Sequence, residues 1–202
     1  MGTGPSLDSV PDWALVSLSK EQTFGVNTLL AYPRLPFTPN FYCVAESTWL
    51  QNVSIPVVIE VLKALPFWRF YAHHWEIRDE RLANWIWVRY ESGADVLQGD
   101  FQGLGEEFPY VSNGRGVVSI AVQIACWMGF GEIYLLGVDG TSRGHAKGLG
   151  LGREDDFRDT QTPFLNCMLK AEEVMGKAGR KLISLAEGGD LSIPRMKLRE
   201  VL

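Results

Sequence analysis

The stretch VVSIAVQIACWMGFGEIYLLGVDG, Val117 to Gly140, decides the fold class. Within it Val117, Ile120, Ala121, Ile124 and Met128 recur at the 3.6-residue period of one helix face, which predicts a helix between Arg115 and Met128. Gly129 follows as its C-terminal stop. Glu132 to Val138 (EIYLLGV) is then a near-continuous apolar run, as expected of a strand buried on both faces of a parallel sheet.

The same alternation extends outward. Gln22 to Asn27 (QTFGVN) and Phe41 to Ala45 (FYCVA) read as buried strands, the second introduced by the turn residues FTPN and followed by Glu46. Pro56 to Leu65 carries Val57, Val58, Val61, Leu62 and Leu65 on one helical face, and Trp68 to Ala72 and Trp85 to Arg89 read as aromatic-rich strands. Downstream, Thr162 to Ala178 predicts an amphipathic helix stopped by Gly179, and Lys181 to Ala186 (KLISLA) another strand. Strands alternating with helices imply an α/β sandwich around a mostly parallel sheet.

Composition narrows the function classes. At 202 residues, 46% hydrophobic and 21% charged, the chain suits one well-buried core, so a single domain over residues 1–202 is expected. A net charge of -5 and the lack of a basic tract argue against nucleic acid as a partner. Charge or glycine interrupts every apolar stretch before the roughly 20 residues a membrane span needs. With no signal peptide either, a cytoplasmic protein is expected, its oligomeric state open. Cys43, Cys126 and Cys167 are far apart in apolar surroundings and read as reduced core residues.

Chemistry is expected beyond the carboxyl ends of the strands, where open α/β sheets bind ligands. Polar groups stand at four such places: the loop GTGPSL (Gly2 to Leu7), Asn27, Glu46 and Asp139. In the loop, Gly2 and Gly4 permit close backbone approach, Pro5 sets the turn, and Ser6 can cap a helix or donate a hydroxyl. These features suit a phosphate cradle and equally a plain turn into a helix. Leu7 occupies the third glycine position of a GxGxxG fingerprint, so the loop is no dinucleotide motif. Such a loop normally hangs from a buried strand, and only Met1 precedes it. The first strand is therefore expected to be missing, leaving a neighbouring strand edge unpaired and the loop unanchored. Asp139, before Gly140 and Thr141, could bind Mg²⁺ on a nucleotide phosphate, orient a hydroxyl, or cap the next turn.

The ordered series GTGPSL, TFGVN, FTPNFYCVAE and VVSIAVQIACWMGFGEIYLLGVDG resembles the domain-of-unknown-function-115 superfamily. That group includes 6-hydroxymethylpterin diphosphokinase-like proteins and is similar to the bacterial sialyltransferases of glycosyltransferase family 42. The resemblance runs from residue 2 to about 141 and implies a Rossmann-like three-layer α/β/α fold. It also implies a nucleotide or nucleotide-sugar held between the first loop and Asn27, and an acceptor near the strand ending at Asp139. Gly2, Thr3, Gly4, Pro5 and Ser6 match the phosphate-side loop, with Thr3 where the sialyltransferases carry Asn. Glu46 stands where many diphosphokinase-like relatives have Asp. The sialyltransferase base, a His shortly before the last long helix, has no counterpart around Asp159 to Phe164. His145, earlier in the same long loop, is the base candidate that remains.

Residues 140–161 hold Gly144, Gly148, Gly150 and Gly152 together with Arg143, His145, Lys147, Arg153 and Arg158, the makings of a cationic lid on glycine hinges. The resulting expectation is a nucleotide-dependent transferase acting between a small-molecule donor and an unidentified acceptor. Its donor is a nucleotide-sugar, as in glycosyltransferases, or ATP, as in diphosphokinases. The alternative is a catalytically inactive nucleotide-binding module.

Overall fold

The computed structural model describes residues 1–45, 68–73, 86–91, 110–112, 116–141, 144–147, 149 and 158–202. The helix expected over 56–65 and the candidate Glu46 lie outside the described residues. The strands are β1 (Phe24–Val26), β2 (Phe41–Ala45), β3 (Trp68–His73), β4 (Ile86–Glu91), β5 (Tyr110–Ser112), β6 (Glu132–Leu135) and β7 (Lys181–Ser184). The α-helices are α1 (Asp12–Leu18), α2 (Val117–Trp127) and α3 (Arg158–Lys177). One sheet has the order β1-β2-β3-β4-β5 and a second pairs β6 with β7. Every strand pair among the described residues is parallel. The chain is thus a mixed α/β protein, in which α3 forms the crossover between the parallel strands β6 and β7.

Strand alternation sorts side chains onto two faces. On β2, Tyr42 and Val44 join Leu7, Leu15 and Leu29 in one cluster, while Cys43 and Ala45 join Ile120 and Ile124 of α2 in another. A third cluster sets Leu135 and Leu182 of β6 and β7 against Cys167, Met168 and Met175 of α3. A single register slip on β2 would exchange its two sets, so burial on both faces specifies the pairing. Gly129 at φ +93° and Gly179 at φ +71° end α2 and α3 where the sequence placed their stops. Cys43, Cys126 and Cys167 are all buried free thiols, and burial pushes the Cys126 thiol up to about 12. No helix among the described residues is long and apolar enough to cross a membrane.

Boundaries differ from the sequence reading in informative ways. β6 stops at Leu135 because Gly137 turns to φ +67°, a left-handed angle that breaks the ladder. α3 begins at Arg158, so Arg158 to Gln161 of the expected lid are helical and Pro163 lies inside the helix. Residues 1–4 lie between the two sheets. Met1 N donates to Phe24 O (2.6 Å) on the β1 side, and Gly2 N–H donates to Leu136 O (2.8 Å) past β6. Gly4 N–H then donates to Gly137 O (2.7 Å). The expected unanchored loop is thereby tied to both sheets, because its own N–H groups take up carbonyls that β6 leaves beyond its last ladder residue.

Candidate functional site

Close approach explains the two loop glycines. A Cβ on Gly2 would strike Gly137 O, and one on Gly4 would strike the carboxylate of Asp139, both closer than real Cβ contacts occur. Gly4 itself is extended at φ -69°, so its need for glycine is steric packing and not backbone angle. Pro5 then opens a 3-10 turn over Pro5–Ser9. The loop passes across the carboxyl end of β6, where Asp139 is only 8% exposed.

Four sequence candidates are joined there in two pairs. Ser6 N–H donates to Asp139 Oδ2 (3.0 Å), so the carboxylate occupies the mouth of the turn. Thr3 Oγ1 and His145 Nδ1 are 2.9 Å apart, and Ala146 N–H donates to Thr3 O (2.7 Å). Lys147 N–H reaches Asp8 Oδ2 (2.9 Å), while Ala146 and Leu149 are buried in the core beside Leu7. Residues 145–147 of the expected lid are therefore fastened to the loop and the turn that follows it. Burial pushes the His145 imidazole below its ordinary range, outweighing the hydrogen bond to Thr3 that acts in the opposite direction. At neutral pH the ring is uncharged and able to accept a proton.

Four of the loop's amides already have partners, and Thr3 N–H has none among the described residues. Gly2 and Gly4 donate to the carbonyls of Leu136 and Gly137 just past β6, Leu7 to Gly4 O (3.1 Å), and Ser6 to Asp139. What the loop offers a ligand is consequently its shape, the Thr3 N–H and the side chains of Thr3 and Ser6. Ser6 Oγ is buried without a hydrogen-bond partner among the described residues. Among those residues no three His, Cys, Asp or Glu side chains are grouped to hold a metal ion. Asp139 could still contribute one oxygen to Mg²⁺, an ion that usually binds one or two carboxylates and completes its shell with phosphate and water.

Asn27 stands at the end of β1 with a structural duty of its own. It adopts φ +43°, its Oδ1 accepts from Ala45 N–H (3.2 Å), and its carbonyl accepts from Tyr42 Oη (2.7 Å). The amide side chain thus holds the end of β2, and asparagine tolerates the left-handed angle better than most residues. Asn27→Ala should cost about 2 kcal/mol of stability, and Asn27→Gly about half of that because glycine keeps the angle and loses only the bond. Urea unfolding of the two variants checks this; equal losses would show that the angle contributes nothing.

Sequence reasoning missed the residues that hold the loop's exit. Arg34 donates to Asp8 O (2.8 Å), Val10 O (2.7 Å) and Asp12 Oδ1 (2.7 Å), bracing the link from the 3-10 turn into α1. Tyr32 Oη adds bonds to Leu7 O and Asp8 Oδ1, both 3.2 Å. No signal in the PRLP turn around Arg34 announces partners more than twenty positions away. Compared with known proteins, the chain matches no family model, no curated protein and no solved structure.

Proposed function

We propose that this chain is a nucleotide-dependent transferase built on a Rossmann-like three-layer α/β/α core, working in a cytoplasmic setting. The observation that carries the reading is the convergence of the Gly2 to Ser6 loop, Asp139 and His145 at the carboxyl end of β6. Residues 133 and 142 positions apart in sequence are brought within hydrogen-bond distance there. That is where parallel α/β sheets place their ligands. Free thiols at all three cysteines suit a reducing compartment.

In this reading neutral His145 accepts the acceptor's hydroxyl proton, with Thr3 orienting the ring, and Asp139 holds the acceptor or a metal. Thr3, Pro5 and Ser6 form the wall against the donor, and Asn27 borders it at the end of β1. A donor phosphate set about 4 Å from the Asp139 carboxylate would be repelled by about 4 kcal/mol at an effective dielectric of 20. Bound Mg²⁺ would supply the positive charge that offsets this repulsion, which favours an ATP donor over a metal-free nucleotide-sugar. The occupied loop amides favour the second reading, a nucleotide-binding module without turnover.

A thermal-shift panel of CMP, CDP, UDP, GDP and ATP, each with and without Mg²⁺, separates the readings. A nucleotide at one hundred times its Kd should stabilise the fold by about 2.7 kcal/mol. ATP shifted only with Mg²⁺ supports the diphosphokinase-like branch, and CMP shifted without metal the glycosyltransferase-like one. No shift with any nucleotide refutes both the transferase and the module. If transfer is detected, His145→Ala should slow it by about 10² to 10⁴-fold. The acidic limb of the rate profile should fall below the pH at which an ordinary histidine titrates, because burial holds His145 down.

A further inference from the structure

A cavity of about 370 Å³ lies outside the Asp139 and His145 cluster, and neither residue lines it. It sits where the 3-10 turn Pro5–Ser9 and the start of α1 face the ends of β6 and β7 and the C-terminal turn Leu198–Glu200. Its volume falls in the range of small-molecule sites. Leu136 and Leu185 give it an apolar floor, and Trp13, 52% exposed, stands at its wall. Lys197 and Arg199 also line it, both exposed, and neither has an ion-pair partner among the described residues. Ser6 is also a lining residue, and its Oγ is the one buried side-chain polar atom that lacks a partner among those residues.

These features call for one kind of ligand. A buried hydroxyl without a partner is costly, and a bond to a ligand oxygen would offset that cost. Two unpaired cations at the rim favour an anion, and Arg in particular matches the oxygens of phosphate. An exposed indole beside an apolar floor favours a planar body attached to that anion. Glu187 is the acidic side chain in the lining and opposes a second negative group on its side. We propose that this cavity binds a small phosphate monoester carrying a planar apolar group, with Lys197 and Arg199 on the phosphate, Ser6 Oγ donating to a ligand oxygen, and Trp13 against the ring.

The proposal stands whether or not the chain catalyses transfer, since no step of it uses Asp139 or His145. Isothermal titration with 2-naphthyl phosphate tests it, with 2-naphthol and inorganic phosphate as the two halves of the ligand. Naphthyl phosphate should bind one to one, and each half at least tenfold more weakly. The double variant Lys197→Met, Arg199→Met should weaken binding at least tenfold while its melting temperature stays near that of the parent, because both side chains are exposed. Glu187→Gln should tighten binding severalfold, an effect that a disturbed fold would not produce. Absence of binding at millimolar ligand, naphthol binding as tightly as its phosphate, or a double variant with unchanged affinity would overturn the proposal. A nucleotide shift that survives the double variant while naphthyl phosphate shows no binding would leave the transferase reading intact as this one fails.

Discussion

Gly2→Ala is expected to destabilise the protein by about 3 kcal/mol, the upper end of what overpacking a well-filled interior costs. The new methyl would meet Gly137 O and, at 2.9 Å, Val138 Cγ2, and the carbonyl cannot step aside because it belongs to the backbone that receives the Gly4 N–H. Gly4→Ala should cost a comparable amount for a different reason. Its methyl meets the Asp139 carboxylate first and Gly137 O second, at 2.9 Å. The carboxylate can rotate away only by abandoning Ser6 N–H. The pair Gly4→Ala, Asp139→Ala should therefore lose less than the sum of its single changes, with a coupling of about 1–2 kcal/mol. Gly2→Ala with Asp139→Ala should be additive. Chemical denaturation of these five variants is the measurement, and alanine at both glycines within 0.5 kcal/mol of the parent would show that the loop does not press on β6.

Stability should fall by about 4 kcal/mol in total as pH is lowered from 8 to 5, driven by the amino group of Met1. Met1 as a residue is half-buried, but its amino group is enclosed between the sheets, and burial lowers its pKa from 8.0 to about 5. The unfolded chain takes up the proton below pH 8, and the folded one resists it until about pH 5. Across that window the unfolded state binds more protons, so stability rises with pH at about 1.4 kcal/mol per unit. His145 adds in the same direction below about pH 6.5, because burial also depresses its folded-state value. Acetylating the amino group removes one titration while keeping an N–H for Phe24 O, and should flatten the profile between pH 8 and 6.5. A flat profile in the unmodified protein would show that the amino group is solvated.

Much of the framework was readable because it is written locally. The helix within residues 115–128 declared itself by spacing, the β2 strand by its apolar run between turn residues, and the ends of both long helices by single glycines. β5 went unread: a three-residue strand, Tyr110–Ser112, is too short to show a period and exists only because β4 offers it an edge. β6 was read too long since leucine, glycine and valine after Tyr134 continue the apolar run. What ends the strand is the left-handed angle at Gly137, where the approach of Gly2 O also leaves no room for a Cβ.

For the site, the sequence singled out Gly2, Thr3, Gly4, Pro5, Ser6, Asn27, Asp139 and His145 as chemically able residues at strand ends. It could not say which of them would touch. Tertiary structure joined Ser6 to Asp139 and Thr3 to His145, tied the Gly2 and Gly4 amides to the carbonyls just past β6, and gave Asn27 the end of β2 to hold. It also placed Trp13 around one cavity with Lys197 and Arg199, although nothing in the sequence relates Trp13 to that pair. The physical reason is the range of the forces involved. Periodic burial of apolar side chains acts between near neighbours and leaves its period in the chain. Hydrogen bonds and excluded volume between residues more than a hundred positions apart leave no such period, and come into being only when the sheet brings its strand ends together.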